Sequence, residues 1–162
     1  MAFDAFLKLD GIEGESQDSK HSKEIELLSV NWGAVQTGTA GYGGGMGGGK
    51  VNMQDFTCTK RFDKASPKLM LTCCNGEHIK NAIFTIRKAG KDQQEFLILK
   101  ITDVIVSSVS AGGSAEGGDD IPLETLSLNY SKIEIEYKEQ KADGTLGGTV
   151  KSHWDVKKNV GG

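Results

Sequence analysis

Residues 29–60 read SVNWGAVQTGTAGYGGGMGGGKVNMQDFTCTK: a strand-like arm, a long glycine-rich excursion and a second strand-like arm. Eight of the twelve residues at 38–49 are glycine, and the others are Thr39, Ala40, Tyr42 and Met46. Glycine loses more conformational freedom on ordering than any other residue, so such a run cannot hold itself in place. It is either a floppy hairpin tip or a segment ordered by a partner, and Tyr42 and Met46 are the side chains suited to docking on one. A structureless stretch of this length is uncommon inside a compact domain and is usually functional. The fold must therefore carry this excursion outside its core, on two arms that pair.

The same run imitates two phosphate-binding motifs. Gly44 to Lys50 reads G-x-x-x-x-G-K, but the next residue is Val51, so the hydroxyl that holds magnesium is missing. Gly43, Gly45 and Gly48 satisfy G-x-G-x-x-G, a match expected by chance in so glycine-rich a run. The following VNMQDFTCTK is strand-like, so no helix N-terminus points at a phosphate. Nucleotide binding is the weakest of the functional readings.

The chain of 162 residues suits one domain spanning residues 1–162, large enough for a real core. Hydrophobic residues make up 37% and charged residues 25%, which is globular and not disordered composition. The net charge of −3 is spread with both signs mixed. That leaves no basic patch for nucleic acid and no polybasic membrane anchor. The opening MAFDAFLKLDG has neither a basic n-region nor a long apolar h-region, so no secretory signal is expected and the chain is expected to be made in the cytosol. No apolar run reaches membrane-spanning length. The three cysteines, Cys58, Cys73 and Cys74, fit a compartment where thiols stay reduced.

Alternation at Phe3, Ala5, Leu7 and Leu9 predicts a half-buried strand, with Phe6 as an extra apolar residue on its second face. Residues 10–23 are polar and read as a surface loop. Residues 24–32 resume a strand whose apolar face switches near Leu27 and Leu28, which suggests a bulge or two buried faces. Residues 51–62 are the return strand, expected to pair with 24–32. Ser66-Pro67 opens the one clear helix, with Ser66 as cap, Pro67 at the first position and Gly76 as the stop. Leu69, Met70, Cys73 and Cys74 would form its packed face. Residues 79–88 and 95–109 should form a hairpin, and 111–120 a second flexible loop. Between residues 125 and 137 the alternation slips by one residue near Ser131 and Lys132, which places a bulge or bend there. The last strand carries Val150, Ser152, Trp154 and Val156 on one face. With about seven or eight strands, one short helix and no βαβ alternation, the chain reads as mainly β, an antiparallel β-barrel or sandwich with a side helix and a long glycine-rich extended loop.

Catalytic patterns are absent. His21 sits in a polar loop and His153 on a solvent-type strand face. Cys74 and His78 are four residues apart, but two ligands without companions make no zinc site. No serine lies in a G-x-S-x-G elbow, and Glu134 and Glu136 alternate with Ile133 and Ile135 as a solvated strand face. The reading is of a protein that is not an enzyme and uses no cofactor and no catalytic or metal-binding residues.

Taken together, several strings resemble the haemolysin-coregulated protein family (Hcp), the tube protein of bacterial type VI secretion systems. They are MAFDAFLKLDGIEGES, EIELLSVNWG with its glycine loop running into KVNMQDF, the SPKLM helix start, FTIRKAG, VSSVSAGG, and the end from QKADGT to HWDVKKNV. The likeness spans nearly the whole chain. It implies a β-barrel with a side helix, a homo-hexameric ring, and stacking with further rings into a hollow tube resembling a phage tail tube. It implies partners in the sheath, spike and baseplate components of the secretion machine, and small effector proteins carried and chaperoned in the lumen. It also implies synthesis in the bacterial cytoplasm and release through the apparatus without a signal peptide. No nucleic acid contact and no membrane insertion are implied. By the same resemblance the loop after Trp32-Gly33 reaches toward an adjacent ring, where Gly38, Tyr42, Met46 and Lys50 would form the ring-stacking contact. Strands buried on two faces, one against a neighbouring subunit, would account for Leu28, Phe6, Val104 and Val106. The residue before the tryptophan lines the lumen in the family, so Asn31 is the expected cargo contact; a relative carries serine there. No toxin domain is expected after the last strand. The alternative is a secreted, monomeric β-sandwich binding module.

Overall fold

A computed structural model describes residues 3–36, 50–89, 93–118 and 120–162. Strands β1 (Phe3–Leu9), β2 (Ile25–Leu27), β3 (Ser29–Asn31), β4 (Ala34–Val35), β5 (Asn52–Met53) and β6 (Phe56–Arg61) precede helix α1 (Ser66–Asn75). After it come β7 (His78–Lys88), β8 (Glu95–Gly112), β9 (Leu123–Asn129), β10 (Lys132–Gln140), β11 (Leu146–Asp155) and β12 (Val160–Gly161). Every pairing is antiparallel. The fold is thus the expected mainly-β class with one helix.

The long strand β8 organises it. Its first half pairs with β7 on one side and β10 on the other, in the order β12-β11-β10-β8-β7-β1-β2. Its second half turns to β9, which continues to β6 and β3. The division falls at Asp103, which sits at φ 55°, and a register shift follows between Val106 and Ser108. Asp is among the few residues that accept the left-handed region. The two sheets face each other across one core, but the ladder is not closed, so the molecule is sandwich-like and not a sealed barrel.

Chain breaks fall where the apolar pattern slips. β2 pairs β1, Leu28 donates its amide to the Thr59 carbonyl at 2.7 Å, and β3 then pairs β6. One run therefore serves both sheets, switching at the expected residue. β9 ends at Asn129 and β10 starts at Lys132, around the predicted bend. The return segment is split, and the expected pairing with 24–32 holds only in part: β6 pairs β3, whereas β2 pairs β1 and β5 pairs β4 beyond that run. Its inward side chains Phe56 and Cys58 join Leu7, Ile25, Leu69, Leu99, Val104, Leu126 and Leu128 in the core. Burying each large aliphatic or aromatic side chain contributes about 1.5–3 kcal/mol.

Four expectations are corrected. Ala65, not Ser66, takes the cap position of α1 without a side-chain cap; Ser66 is inside the helix and its hydroxyl is buried against Lys60 and Glu124. Pro67 still opens the helix and Gly76, at φ 67°, ends it. The packed helix face is Ser66, Leu69 and Thr72 with Cys73 half-buried, while Met70 and Cys74 are exposed, because the helix meets the sandwich along a narrower stripe. Phe6, Val104 and Val106 are buried within the chain and need no neighbour; of the four, only Leu28 is exposed. The loop at 10–23 is not all surface. Ile12, Ser16 and His21 are buried, and His21 stacks on Phe6 with ring centroids 4.4 Å apart. Its two ring nitrogens lie 2.8 and 2.7 Å from Glu24 and Glu95 carboxylate oxygens. The outer end of the β8–β10–β11 sheet is open to solvent. Tyr137 is exposed, Val150 is 69% exposed, and only Trp154 of the last strand's apolar series packs on the core.

Gly14 shows how tightly that loop is laid down. A Cβ there would lie 2.5 Å from the Glu24 carbonyl oxygen, so only glycine fits against this backbone. Arg87, 2% exposed, holds the same loop from the sheet side by donating to both carboxylate oxygens of Asp18.

Candidate functional site: an arm, a groove and a hydroxyl face

Two surfaces stand out, and both begin at Trp32. Its indole is half-buried and packs on Phe56 and Phe84, at centroid distances of 6.5 and 6.2 Å. Beyond it the chain leaves the core. Gly33 accepts a 2.9 Å hydrogen bond from the Gln54 amide, and β4 and β5 pair through Ala34↔Met53 and Val35↔Asn52. This two-stranded arm is the foot of the glycine-rich excursion. Lys50 is exposed just before β5. Gly38, Tyr42 and Met46 lie outside the described residues.

Between the arm and the β10–β11 pair lies a groove of about 550 Å³, walled by Trp32, Met53, Ile133, Ile135 and Trp154 with His153 at its margin. The Trp154 indole nitrogen is buried and has no hydrogen-bond partner among the described residues. A buried, unpaired N–H costs about 1–3 kcal/mol, so this edge is incomplete as it stands. β11 adds to it: β12 and Gly162 cover only His153, Trp154 and Asp155, leaving the strand's backbone from Leu146 to Ser152 without a ladder partner on that side among the described residues. Exposed Val150 and Val160 lie on these edge strands.

The second surface is the outer face of β3, β6, β9 and the end of β8. Strand alternation sends Phe56, Cys58, Leu126 and Leu128 inward and their neighbours outward. The register lines those neighbours up. Ser29, Thr59, Thr125 and Ser110 form one row across four strands. Asn31, Thr57, Ser127 and Ser108 form the next. All eight are uncharged and polar, and Thr57 and Ser127 hydroxyls lie 3.4 Å apart. The expected cargo residue Asn31 is thus exposed at the end of a hydroxyl row. Sequence reasoning singled out Asn31 alone; the signal for the rest was the spacing of Thr57/Thr59, Thr125/Ser127 and Ser108/Ser110, two apart on three strands.

Directly beneath the first row lies a buried charge cluster that sequence reasoning also missed. Lys60 is fully buried on β6, with Nζ 2.9 Å from Glu124 Oε2 and 2.8 Å from Asp63 Oδ1. It also donates to Ser66 Oγ at 2.9 Å, so the pair clamps α1 to β6 and β9. Burial holds the nearby Cys58 thiol protonated, pushing it up to about 12.

The third polar cluster does not assemble a nucleophile. Asp103 Oδ1 lies 2.9 Å from His78 Nδ1, and Oδ2 accepts from Lys157 at 2.7 Å and from Ser131 at 3.3 Å. Serine and imidazole address the same carboxylate, so the hydroxyl proton is directed away from the base that would have to take it. Lys157, then His78, hold the Asp103 carboxyl down to about 2. The cluster pins the turn after β11 to the place where β8 changes partners. Among the described residues no three His, Cys, Asp or Glu side chains gather as a metal-binding set, and no helix is long and apolar enough to cross a membrane.

Comparison with known proteins gives the chain's family. The chain is 47% identical over 162 residues to Protein hcp1 of Pseudomonas aeruginosa, covering 99% of both. It is similar to the crystal structure of Hcp1 from Salmonella typhimurium, with a TM-score of 0.84, 40% identity and 99% of each chain covered. A structure of a type six secretion system protein superimposes with a TM-score of 0.93 at 37% identity, over 99% of this chain and 100% of that one. Residues 6–137 match the family described as Type VI secretion system effector, Hcp, and the chain belongs to that family.

Proposed function

We propose that the chain is a structural subunit of the type VI secretion inner tube: it forms hexameric rings that stack into a hollow tube, are exported, and carry or chaperone small effectors in the lumen. The groove at the foot of the arm carries this reading. An apolar groove holding an unpaired buried indole N–H, flanked by an unpaired strand edge, is a surface that a second polypeptide completes. Exposed apolar residues also occur well away from it, at Leu28, Phe62 and Ile121 around a second, smaller depression. Two unlike apolar patches suit head-to-tail contacts, which close into a ring when the rotation allows. On this reading the excursion carrying Gly38, Tyr42 and Met46, with Lys50 at its foot, docks on the next ring, whose surface supplies the burial that offsets glycine entropy. Sheath, spike and baseplate components are then the remaining partners, and the subunit acts by assembly, without catalysis.

Light scattering on a sizing column with negative-stain images of the peak tests this. Rings of about six subunits are expected, and deleting residues 41–48 should abolish stacking while rings persist. A monodisperse monomer over a wide concentration range would overturn the ring and leave a lone β-sandwich binding module, for which the same groove would be the ligand site.

A further inference from the structure

The geometry points to Ser107, Asn129 and Tyr130 as positioning residues for the arm: together they clamp the Gln54–Asp55 junction and so fix the direction in which β4 and β5 leave the sandwich. The consequence for stacking rests on the tube reading of the chain; the aim of the arm itself does not.

The arm has little of its own to aim it. β4 and β5 are two residues each and form a sheet separate from the main ladder. A lone two-stranded ribbon is marginal in water. Between this ribbon and the β3–β6 pair lie Trp32 and Gly33 on one side and Gln54 and Asp55 on the other, none of them in a strand. Outside the two ladders, one backbone hydrogen bond crosses the joint, from the Gln54 amide to the Gly33 carbonyl. A single bond lets the ribbon pivot about it, and an error in angle grows with distance from the joint.

Three side chains supply what the backbone does not, and each comes from an irregularity elsewhere in the sandwich. Tyr130, buried in the bend between β9 and β10, donates its hydroxyl to the Gln54 carbonyl at 3.0 Å. Asn129, the last residue of β9, donates to Asp55 Oδ1 at 2.9 Å. Ser107 donates to Asp55 Oδ2 at 2.6 Å. It is the extra residue of the β8 bulge, passed over between the Val106↔Leu128 and Ser108↔Ser127 pairs. A bulge re-aims a side chain, and here it brings a hydroxyl onto a carboxylate. Both Asp55 oxygens are thus engaged, and hydrogen bonds to a charged acceptor are the stronger kind. Burial, and then the Asp55 charge, push the Tyr130 phenol up to about 12, so it keeps the proton it donates.

The donors stand 52 to 76 residues from the junction in sequence, so no local turn dictates the arrangement. Ser107 and Asn129 are exposed and lie outside the apolar core. Their bonds therefore add little to folding and act mainly as restraints on the junction. The bulge, the bend and the break between β5 and β6 are one device, built around a single dipeptide at the foot of the arm.

The test measures the distance between two spin labels on the full chain by pulsed EPR. One label sits on the exposed native Cys74 of α1, with Cys73→Ser to leave one site on the helix, and the other on Asn52→Cys in β5. Labelled chain is diluted with excess unlabelled chain before assembly, so the distance is read within one subunit whatever the oligomeric state. The otherwise unaltered chain should give one narrow distribution. Ser107→Ala and Tyr130→Phe should each widen it, and together by about twofold or more. Ser107→Thr, which keeps the hydroxyl, should restore the narrow distribution, and Ser110→Ala, on the same strand but off the junction, should leave it unchanged. In unlabelled protein the double variant should need roughly tenfold more chain for rings to stack, with the mass of the single ring unchanged. If Tyr130→Phe fails to fold, Ser107→Ala alone decides, since that residue is exposed. A width that neither change alters, or one already broad in the parent chain, overturns the inference; widening with no loss of stacking overturns its consequence for stacking. Stacked rings with an unchanged width reject the clamp and leave the tube reading standing; a monomer whose arm loosens on these changes does the reverse.

Discussion

The long strand β8 carries two outer faces that differ in kind. Beside its first half, cross-strand rows alternate lysine, glutamate and histidine, with Lys151 and Glu136 3.8 Å apart. Beside its second half, the rows are serine, threonine and asparagine. The inner faces show the opposite order. Beneath the charged rows lie Leu99, Ile101 and Ile133, while beneath the hydroxyl rows a lysine and a glutamate are buried outright. Alternation thus decides which residues face out, but not what kind of residue each side requires. A buried ion pair was placed where it clamps a helix, under two neutral rows that Arg61 flanks at one end.

The comparison can be broken most severely from inside. Lys60→Ala strands Glu124 as an unpaired buried carboxylate and should cost about 3–5 kcal/mol in denaturant unfolding. Thr59→Ala, one residue away on the outer row, should change stability by about 0.5 kcal/mol or less. Equal effects would mean that the two sides of β6 are not functionally distinct.

The next effect is on pH. Hydrogen bonding and charge from Arg87 hold Asp18 well below the usual carboxylate range. A depressed folded value means the pair stabilises the fold above the ordinary carboxylate pKa, about 4, and that this contribution is lost as pH falls through the lowered value. Thermal melting should therefore drop steeply on acidification below about pH 4. Asp18→Asn should be less stable at neutral pH and show a shallower acid decline. An unchanged acid profile would remove this pair as the anchor of the loop at 10–23.

A smaller effect separates the groove from the core. Trp154→Phe deletes an N–H that has no partner among the described residues. Relief of that unpaired group offsets the packing lost with the indole, so monomer stability should change by less than about 1 kcal/mol, while ring assembly at low protein concentration weakens. Loss of folding instead would mark Trp154 as a core residue only. Least affected should be Lys100→Gln, which removes one member of a cross-strand row and should cost about 0.2–1 kcal/mol, diminishing with salt.

Much of the fold was legible because its breaks coincide with slips in the apolar pattern. Leu27–Leu28 marks the strand that changes sheets, Ser131–Lys132 marks the bend between β9 and β10, and Pro67 and Gly76 bound the helix. What escaped was polar burial. Lys60 stands in the inward series after Phe56 and Cys58, where its charge reads as a strand end until Glu124, far away in sequence, is brought to 2.9 Å. His21 looked like loop surface because its partners, Phe6 and Glu95, come from separate strands. Phe6, an apolar residue on the second face of β1, was the clue that something must cover it. Asn31 was found by family likeness, whereas the row it belongs to needs a register, which one strand alone does not contain.

The placement of β1 has a consequence for synthesis. It lies between β2 and β7, and its longest ladder runs from Phe3↔Lys88 to Leu9↔Ala82. Strand β1 must wait until some seventy to eighty further residues have been made before its main partner exists. Non-local pairing of this kind slows folding and leaves an unpaired apolar edge exposed meanwhile. The short local pairing of β1 with β2, available some sixty residues earlier, is then a temporary cover for AFLKL on the nascent chain.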